Sequence, residues 1–179
     1  MKLTRQKASA KEATAPIEPV RVKPPVRVVV IDDHEMIVQS LVRLLTADAK
    51  IEVVGTSLNA VEGIDIAARL RPDVVVIDYH LPDMDAPQAI KMLLEMVPGA
   101  KVVTLTGSES PSSYYVSMSA GSSAWVAKTN AIQELRTAIL NVAAGQVYKG
   151  EGLEPRPLDE SPPVTGDAEL RHPPSTDVS

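Results

Sequence analysis

Short runs of β-branched residues alternate along the chain with segments of helical periodicity, and this alternation limits the folds that the chain can adopt. Continuous apolar runs of this length are typical of strands covered on both faces, as in a parallel sheet. Because strands and helices alternate, the crossovers between parallel strands are expected to be right-handed. The sequence therefore predicts a doubly wound α/β domain with a five-stranded parallel sheet. The predicted strands are residues 26–32, 51–56, 73–78, 101–106 and 123–127.

Between these runs, apolar residues recur at intervals of three and four, as on the buried face of an amphipathic helix. Residues 89–96 and 112–120 are predicted to form the third and fourth helices. Residues 131–144 are predicted to form the fifth, with Asn130 as its N-cap and Gly145 at its end. The apolar stripes are Ile37, Leu41, Leu44 and Leu45 in the first helix, Val61, Ile64, Ile66 and Ala67 in the second, and Ile132, Leu135, Ile139 and Val142 in the fifth.

Proline marks both boundaries of this α/β segment. Four of the 15 prolines lie in residues 1–25, and six lie after residue 150. Proline fixes φ and removes a backbone donor, so such stretches seldom join regular structure. We therefore predict one domain at residues 26–149, a disordered basic arm at residues 1–25 and a disordered, acidic, Pro-rich tail at residues 150–179.

Composition excludes several classes of site and partner. The chain has no Cys, which excludes disulfides, thiolate zinc sites, iron–sulfur clusters and a cysteine nucleophile. Aromatic residues make up only 3%, and residues 26–149 are mildly acidic, so direct contact with nucleic acid is not expected. No stretch approaches the ~18 consecutive apolar residues of a membrane span, and the N-terminus lacks the apolar run of a secretory signal. A cytoplasmic protein without membrane contact is the expectation.

Polar residues stand at the end of four predicted strands, at the edge where ligands bind in open α/β sheets. Asp32 and Asp33 end the first run, Asp78 ends the third, Thr106 ends the fourth and Lys128 follows the fifth. Each residue alone has an ordinary explanation, since a strand-end acid often caps the next helix and a lone lysine is often solvated. Their conjunction at one edge favours a functional site. The glycine-rich phosphate loops of dinucleotide enzymes and P-loop ATPases are missing after the first strand.

This conjunction resembles the receiver domain of bacterial two-component response regulators. The resemblance covers about residues 26–149 and is most specific in VVVIDYHLPDMD, which begins at Val74, and in GSSAWVAK, which ends at Lys128. DDH at residues 32–34 and ILNVAAG at residues 139–145 are most similar to the NarL/FixJ/LuxR-type subfamily, which normally carries a C-terminal helix-turn-helix domain. The resemblance implies a flavodoxin-like sheet with strand order 2-1-3-4-5, an order for which a receiver protein is itself the standard example.

The resemblance also implies the residues of a phosphorelay site. Asp78 corresponds to the phosphoryl acceptor, which is phosphorylated by a sensor histidine kinase or a phosphotransfer protein. Asp33, Asp78 and the main-chain carbonyl of His80 correspond to the direct ligands of Mg²⁺, and Asp32 to the residue that holds a metal-bound water. Such hard oxygen ligands suit Mg²⁺, which usually keeps several waters. No catalysis beyond the chain's own phosphorylation and dephosphorylation is implied.

Signal output is implied to pass through two switch residues. Thr106 corresponds to the hydroxyl that meets the phosphoryl group, and Lys128 to the cation that pairs with it. Trp125 corresponds to the aromatic switch residue, which turns inward when Thr106 moves, although an ordinary half-buried aromatic is the alternative. The face made by the fourth helix, fifth strand and fifth helix then binds a downstream protein partner, and a homodimer is a further option.

Three other interpretations stay open. The residues after Gly145 are too few for a DNA-reading module, so we expect a stand-alone receiver, and the alternative is a truncated or diverged DNA-binding transcriptional regulator. An aspartate-nucleophile phosphatase of the haloacid-dehalogenase type needs a second acid at the position of His80. A degenerate receiver used as a scaffold would be expected to lack part of the acidic and basic set. Zinc at His34 and His80 is not expected without Cys ligands.

Overall fold

The computed structural model describes residues 23–107 and 110–150, so nearly all of the two predicted arms lies outside the described residues. Strands and helices alternate through this part of the chain. The strands are β1 (Val26–Ile31), β2 (Ile51–Ser57), β3 (Val74–Asp78), β4 (Lys101–Thr106), β5 (Ala124–Ala127) and β6 (Tyr148–Lys149). The helices are α1 (Glu35–Thr46), α2 (Ala60–Leu70), α3 (Ala86–Met96), α4 (Pro111–Ala120) and α5 (Ala131–Ala143), and a 3₁₀ turn at Lys128–Asn130 joins β5 to α5.

The strands form one parallel sheet in the order β2-β1-β3-β4-β5-β6. The predicted fold class and the order 2-1-3-4-5 are therefore confirmed. The structure adds β6, a two-residue strand on the outer side of β5 that the sequence did not predict. Among the described residues, no helix combines the length and the apolar character needed to cross a bilayer.

Each face of the sheet carries its own apolar cluster, which explains why the strands are apolar at every position. Val28 and Val30 of β1 face the side covered by α1 and α5, whereas Val29 and Ile31 face the side covered by α2 and α3. All four side chains are fully buried. This is the pattern that a two-residue period produces in a strand covered on both faces.

Two residues of the predicted apolar stripes do not join the core. Val61 in the first turn of α2 is 59% exposed, and Ile132 in the first turn of α5 is 70% exposed. Both predictions of burial were wrong. Helical periodicity identifies the direction of the buried face but not how far the sheet extends beneath it. Both exposed residues lie in the first turn of their helix.

The helix ends follow the sequence in part. Gly145, with φ of +83°, follows α5 and its C-cap Ala144, as predicted, and Pro87 lies in the first turn of α3. Asn130 occupies the N-cap position of α5, but its side chain makes no capping hydrogen bond there. Its amide nitrogen donates instead to Glu134 Oε1 at 3.2 Å. The 3₁₀ turn that ends at Asn130 gives this residue a helical backbone in place of the extended one that a capping side chain needs.

The N-terminus of α2 is capped by a residue distant in sequence. Asp83 accepts hydrogen bonds from the backbone N–H groups of Ala60 and Val61, both at 2.9 Å. Burial opposes the charge of Asp83, but the backbone hydrogen bonds that its carboxylate accepts together lower its pKa below the ordinary 3.8. The contact ties the loop after β3 to the helix after β2, next to the site described below.

Replacing Asp83 with Ala is expected to lower the free energy of unfolding by about 1 kcal/mol, as for loss of a helix cap. Because the folded-state pKa lies below the unfolded value, this contribution is complete above 3.8 and is lost as the pH falls through the lower, folded-state pKa. Urea denaturation of wild type and Asp83→Ala at neutral pH and in acid measures the difference. The matched control is Asp85→Ala, since exposed Asp85 makes no side-chain cap. An equal difference at both pH values would contradict the prediction.

Candidate functional site

The predicted polar residues meet at the carboxyl edge of the parallel sheet. Asp32 follows β1, Asp78 ends β3, Thr106 ends β4 and Lys128 follows β5. The strand registers align these ends, since Thr106 stands opposite Ala127, the residue before Lys128. The side chains of Asp32, Asp78 and Thr106 are all buried at this edge.

Lys128 bridges two buried carboxylates. Its Nζ lies 2.7 Å from Asp78 Oδ2, to which it donates a hydrogen bond, and 2.8 Å from Asp32 Oδ2. Asp32 is 0% exposed, Asp78 is 1% exposed and the Lys128 side chain is 16% exposed. Buried carboxylates of this kind are stable only when they are paired, so the ammonium group is what allows the two acids to share the site.

The titration of this pair reflects burial and charge together. Burial raises the pKa of the Asp78 carboxyl above its ordinary value, and the negative charge of Asp32 adds to this, whereas Lys128 opposes it. Burial alone would lower the pKa of the Lys128 ammonium, but its hydrogen bonds to Asp32 and Asp78 bring the net shift upward. The carboxylate of Asp78 is thus held in an environment that favours added positive charge.

Asp33 and His34 form the more exposed side of the acidic group. The backbone N–H of His34 donates to Asp32 Oδ1 at 2.9 Å. The ring Nδ1 of His34 lies 2.6 Å from Asp33 Oδ1 and 3.2 Å from Asp32 Oδ1. No role at the site was predicted for His34. Its position directly after the two acids was the only available signal, and its contacts with both carboxylates became visible only in the structure.

The residues present fit a hard divalent cation such as Mg²⁺. Asp32, Asp33, His34 and Asp78 each offer a ligand atom, and these atoms lie within 4.8 Å of one another. Asp78 Oδ1 is buried and, among the described residues, has no hydrogen-bond partner. A buried carboxylate oxygen without a partner is costly unless a cation or donor satisfies it, and carboxylate oxygens are ligands that Mg²⁺ prefers. The acidic pocket is therefore compatible with Mg²⁺.

His80 lies two residues after Asp78, in the loop that follows β3. It forms an isolated antiparallel bridge with Asp85, and its ring meets Tyr79 edge to face at 4.9 Å between centroids. The bridge folds the loop back on itself between β3 and α3. That its carbonyl binds a metal stays a prediction.

Trp125 lies inside the protein. Its side chain is fully buried, not half-buried, and it meets Tyr79 and Tyr114 edge to face at centroid distances of 5.4 and 6.1 Å. Trp125 stands opposite Thr104 on β4, two residues before Thr106. A switch at this position would therefore start from an aromatic ring that already points inward in this state.

Comparison with known proteins agrees with this fold and site. The family model described as the response regulator receiver domain matches residues 28–140. The chain belongs to this family. It is 32% identical over 121 residues to the transcriptional regulatory protein LiaR of Bacillus subtilis and 35% identical over 121 residues to the DNA-binding transcriptional activator DevR/DosR of Mycobacterium tuberculosis. These matches cover 68% of this chain and 57% and 56% of the two relatives, so the chain spans little more than half of their length.

Solved structures agree with this membership. The signal receiver domain of the response regulator NarL from Mycobacterium tuberculosis superimposes with a TM-score of 0.66 at 27% identity, over 69% of this chain and all of that one. The receiver domain of RcsB from Salmonella enterica, with the phosphomimetic BeF₃⁻, gives a TM-score of 0.67 at 20% identity, over 72% of this chain and 96% of that one. At 20% identity, the match to RcsB shows only that the two folds are alike.

The chain is thus a receiver domain of two-component signal transduction, similar to NarL/LuxR-family regulators. Members of this family generally act as phosphorylated regulators with Mg²⁺ and not as catalytic enzymes, and they interact with histidine kinases and downstream effectors. The predicted family and fold are confirmed. The roles of the individual residues stay predictions.

Proposed function

We propose that this receiver accepts a phosphoryl group on Asp78 from a sensor histidine kinase or phosphotransfer protein, with Mg²⁺ bound at Asp33, Asp78 and the His80 carbonyl, and at Asp32 through water. The observation that carries the proposal is the buried pair of Asp78 and Lys128, with Nζ and Oδ2 2.7 Å apart. This contact occupies Asp78 Oδ2, and Asp78 Oδ1 has no hydrogen-bond partner among the described residues.

The transfer itself needs little beyond positioning and charge neutralisation. A carboxylate oxygen of Asp78 forms a bond to phosphorus as the phosphorus–nitrogen bond of a phosphohistidine breaks, and the leaving imidazole takes up a proton. Lys128 then pairs with the oxygens of the new phosphoryl group, and the Thr106 hydroxyl donates to one of them. Mg²⁺ supplies further neutralisation of the same oxygens when it is bound. The repulsion between Asp32 and Asp78 favours the cations that this transfer requires.

The first test is phosphoryl uptake by the full chain. Incubation with acetyl phosphate or phosphoramidate and Mg²⁺ is expected to add one phosphoryl group, read by intact mass, with the base lability of an acyl phosphate. Chelation of Mg²⁺ with EDTA is expected to suppress uptake. Self-limited, stoichiometric labelling supports the receiver chemistry, whereas sustained turnover of a small phosphate ester would instead support the aspartate-nucleophile phosphatase.

Mg²⁺ is expected to raise the thermal unfolding midpoint of the wild-type chain. A ligand that binds only the folded state stabilises it, by about 2.7 kcal/mol when its concentration is 100 times Kd. Asp33→Asn removes one charged ligand and is expected to shift the Mg²⁺ titration to markedly higher concentration. The matched control is Asp85→Asn, since Asp85 lies outside the acidic group. Equal Mg²⁺ responses in wild type and Asp33→Asn would count against this site.

We further propose that output passes through α4, β5 and α5 to a protein partner or a second copy of the chain, with Thr106 and Trp125 as switch residues. Exposed apolar side chains on these helices support this, namely Val116 on α4 and Ile132 on α5. The receiver at residues 26–149 is proposed to act alone, without direct contact to nucleic acid, in the cytoplasm. The alternative, a DNA-binding regulator, is favoured if the phosphorylated chain retards a DNA fragment in a gel-shift assay.

A further inference from the structure

The segment that follows α5 is attached to the outer edge of β5. Its backbone hydrogen bonds to β5 include those from Tyr148 N–H to Ser123 O at 3.0 Å and from Gly150 N–H to Trp125 O at 3.1 Å. We call residues 146–150 the β6 strap. A two-residue strand at the edge of a sheet belongs to the less stable parts of a fold, which open at a lower free-energy cost than the core.

Gly150 is the tightest point of the β6 strap. The residue is buried, and a Cβ atom placed on it would lie 2.6 Å from Glu134 Oε2 and 3.1 Å from Trp125 O. A larger residue at position 150 would require the Glu134 carboxylate to move away from the strap. The docked position of the strap therefore depends on where Glu134 and β5 lie.

A single 3₁₀ turn connects this contact to the phosphoryl site. Lys128, at the start of the turn, holds the Asp78 carboxylate at 2.7 Å. Asn130, at the end of the same turn, donates to Glu134 Oε1 at 3.2 Å, and the other carboxylate oxygen of Glu134 lies against Gly150. A movement of Lys128 is thus passed to the strap through three residues of backbone and one hydrogen-bonded side chain.

We propose that the state of the Asp78 site controls whether the β6 strap stays docked on β5. The proposal rests on the proposed function in taking phosphorylation as the signal. When Asp78 carries a phosphoryl group, the Lys128 ammonium follows the new oxygens, and the turn moves with it. The Asn130–Glu134 contact then no longer holds the carboxylate against Gly150, so the docked population of the strap falls. Release frees the backbone of Ser123 and Trp125 for another strand.

Hydrogen exchange of the Tyr148 and Gly150 amides in the full chain tests this directly. The rates are measured by NMR with and without excess phosphoramidate and Mg²⁺, while intact mass gives the phosphorylated fraction of the same sample. Phosphorylation is expected to raise both rates about 10-fold, a shift of ~1.4 kcal/mol in the opening equilibrium, and to leave the core amide of Val76 unchanged. Unchanged rates at Tyr148 and Gly150 in a phosphorylated sample overturn the proposal.

Asn130→Ala separates the connecting turn from the phosphoryl site. This variant removes the hydrogen bond to Glu134 and leaves the acidic group intact, so it is expected to take up phosphoryl groups as wild type does. Its Tyr148 and Gly150 amides are expected to exchange fast in both states. Gln133→Ala, an exposed neighbour on α5, is the matched control and is expected to respond like wild type. A wild-type response in Asn130→Ala would overturn the proposed connection.

Failure of the proposed function gives a different result from failure of this inference. A chain that takes up no phosphoryl group refutes the proposed function, and Lys128→Met then decides the inference, because it removes the contact with Asp78 without phosphorylation. Faster exchange at Tyr148 and Gly150 relative to Val76 in that variant supports the connection between the site and the strap. Unchanged relative rates refute it.

Discussion

Asp78→Asn is expected to take up no phosphoryl group under conditions that label the wild-type chain fully. The amide has nearly the shape of the carboxylate but lacks the nucleophilic oxygen, so the substitution removes the acceptor and preserves the packing of β3. Intact mass after incubation with acetyl phosphate and Mg²⁺ measures the difference. The control is Asp85→Asn, which keeps Asp78 and is expected to take up the phosphoryl group as wild type does. A base-labile phosphoryl group present at the wild-type level in Asp78→Asn would refute the assignment of Asp78.

The same variant distinguishes loss of chemistry from loss of fold. Burial raises the pKa of Asp78, which means that the folded state disfavours its charged form. Removing this charge is therefore expected to leave the unfolding midpoint in EDTA unchanged or higher, while Lys128 keeps its contact with Asp32 at 2.8 Å. A large fall in the midpoint would mean that the missing label reports misfolding.

Lys128→Met is expected to lower the free energy of unfolding by about 3 kcal/mol in EDTA, because breaking a buried ion pair leaves uncompensated charge. Methionine keeps the apolar stem of the side chain and removes only the ammonium group, so Asp32 and Asp78 then face each other without a cation. Mg²⁺ is expected to recover much of the loss, since it neutralises the same two acids. Urea denaturation with EDTA and with Mg²⁺ measures both effects, and exposed Lys101 provides the control Lys101→Met.

The functional effect of Lys128→Met is expected at Trp125. Phosphorylation of the wild-type chain is expected to change the fluorescence of this single tryptophan, because β5 carries both Trp125 and the turn that begins at Lys128. Any phosphoryl group that Lys128→Met still accepts is expected to leave the fluorescence unchanged. A full wild-type fluorescence change in this variant would show that the signal reaches Trp125 by another route.

The parallel sheet and the meeting of the polar residues could be predicted because both follow from short-range patterns. A strand such as β3, apolar at every position, must be covered on both faces, and parallel strands bring their carboxyl ends to one edge. Asp78 and Lys128, 50 residues apart, could therefore be placed together before their contact was seen. That they act as acceptor and phosphoryl partner is still a prediction.

The features that escaped prediction lack a local pattern. β6 has two residues, too few to show any period, and its pairing with β5 depends on the shape of the finished domain. The cap that Asp83 provides for α2 joins Asp83 to two residues that lie 22 and 23 positions earlier in the sequence. Nothing in either segment indicates this contact. The hydrogen bond from Asn130 to Glu134 depends on a 3₁₀ turn that sequence periodicity did not resolve.

The parallel direction of β6 has a practical consequence for attaching probes to this protein. Since β6 runs beside β5 in the same direction, Gly150 leaves the sheet toward the end where Asp78 lies, whereas Lys23 enters β1 at the opposite pole. A bulky fluorescent fusion joined directly to Gly150 would start toward the rim that carries Asp78, where the proposed phosphodonor would approach. Immobilising the protein through a tag ahead of Lys23 keeps that rim turned toward the solution, which makes it the better geometry for surface-based binding measurements.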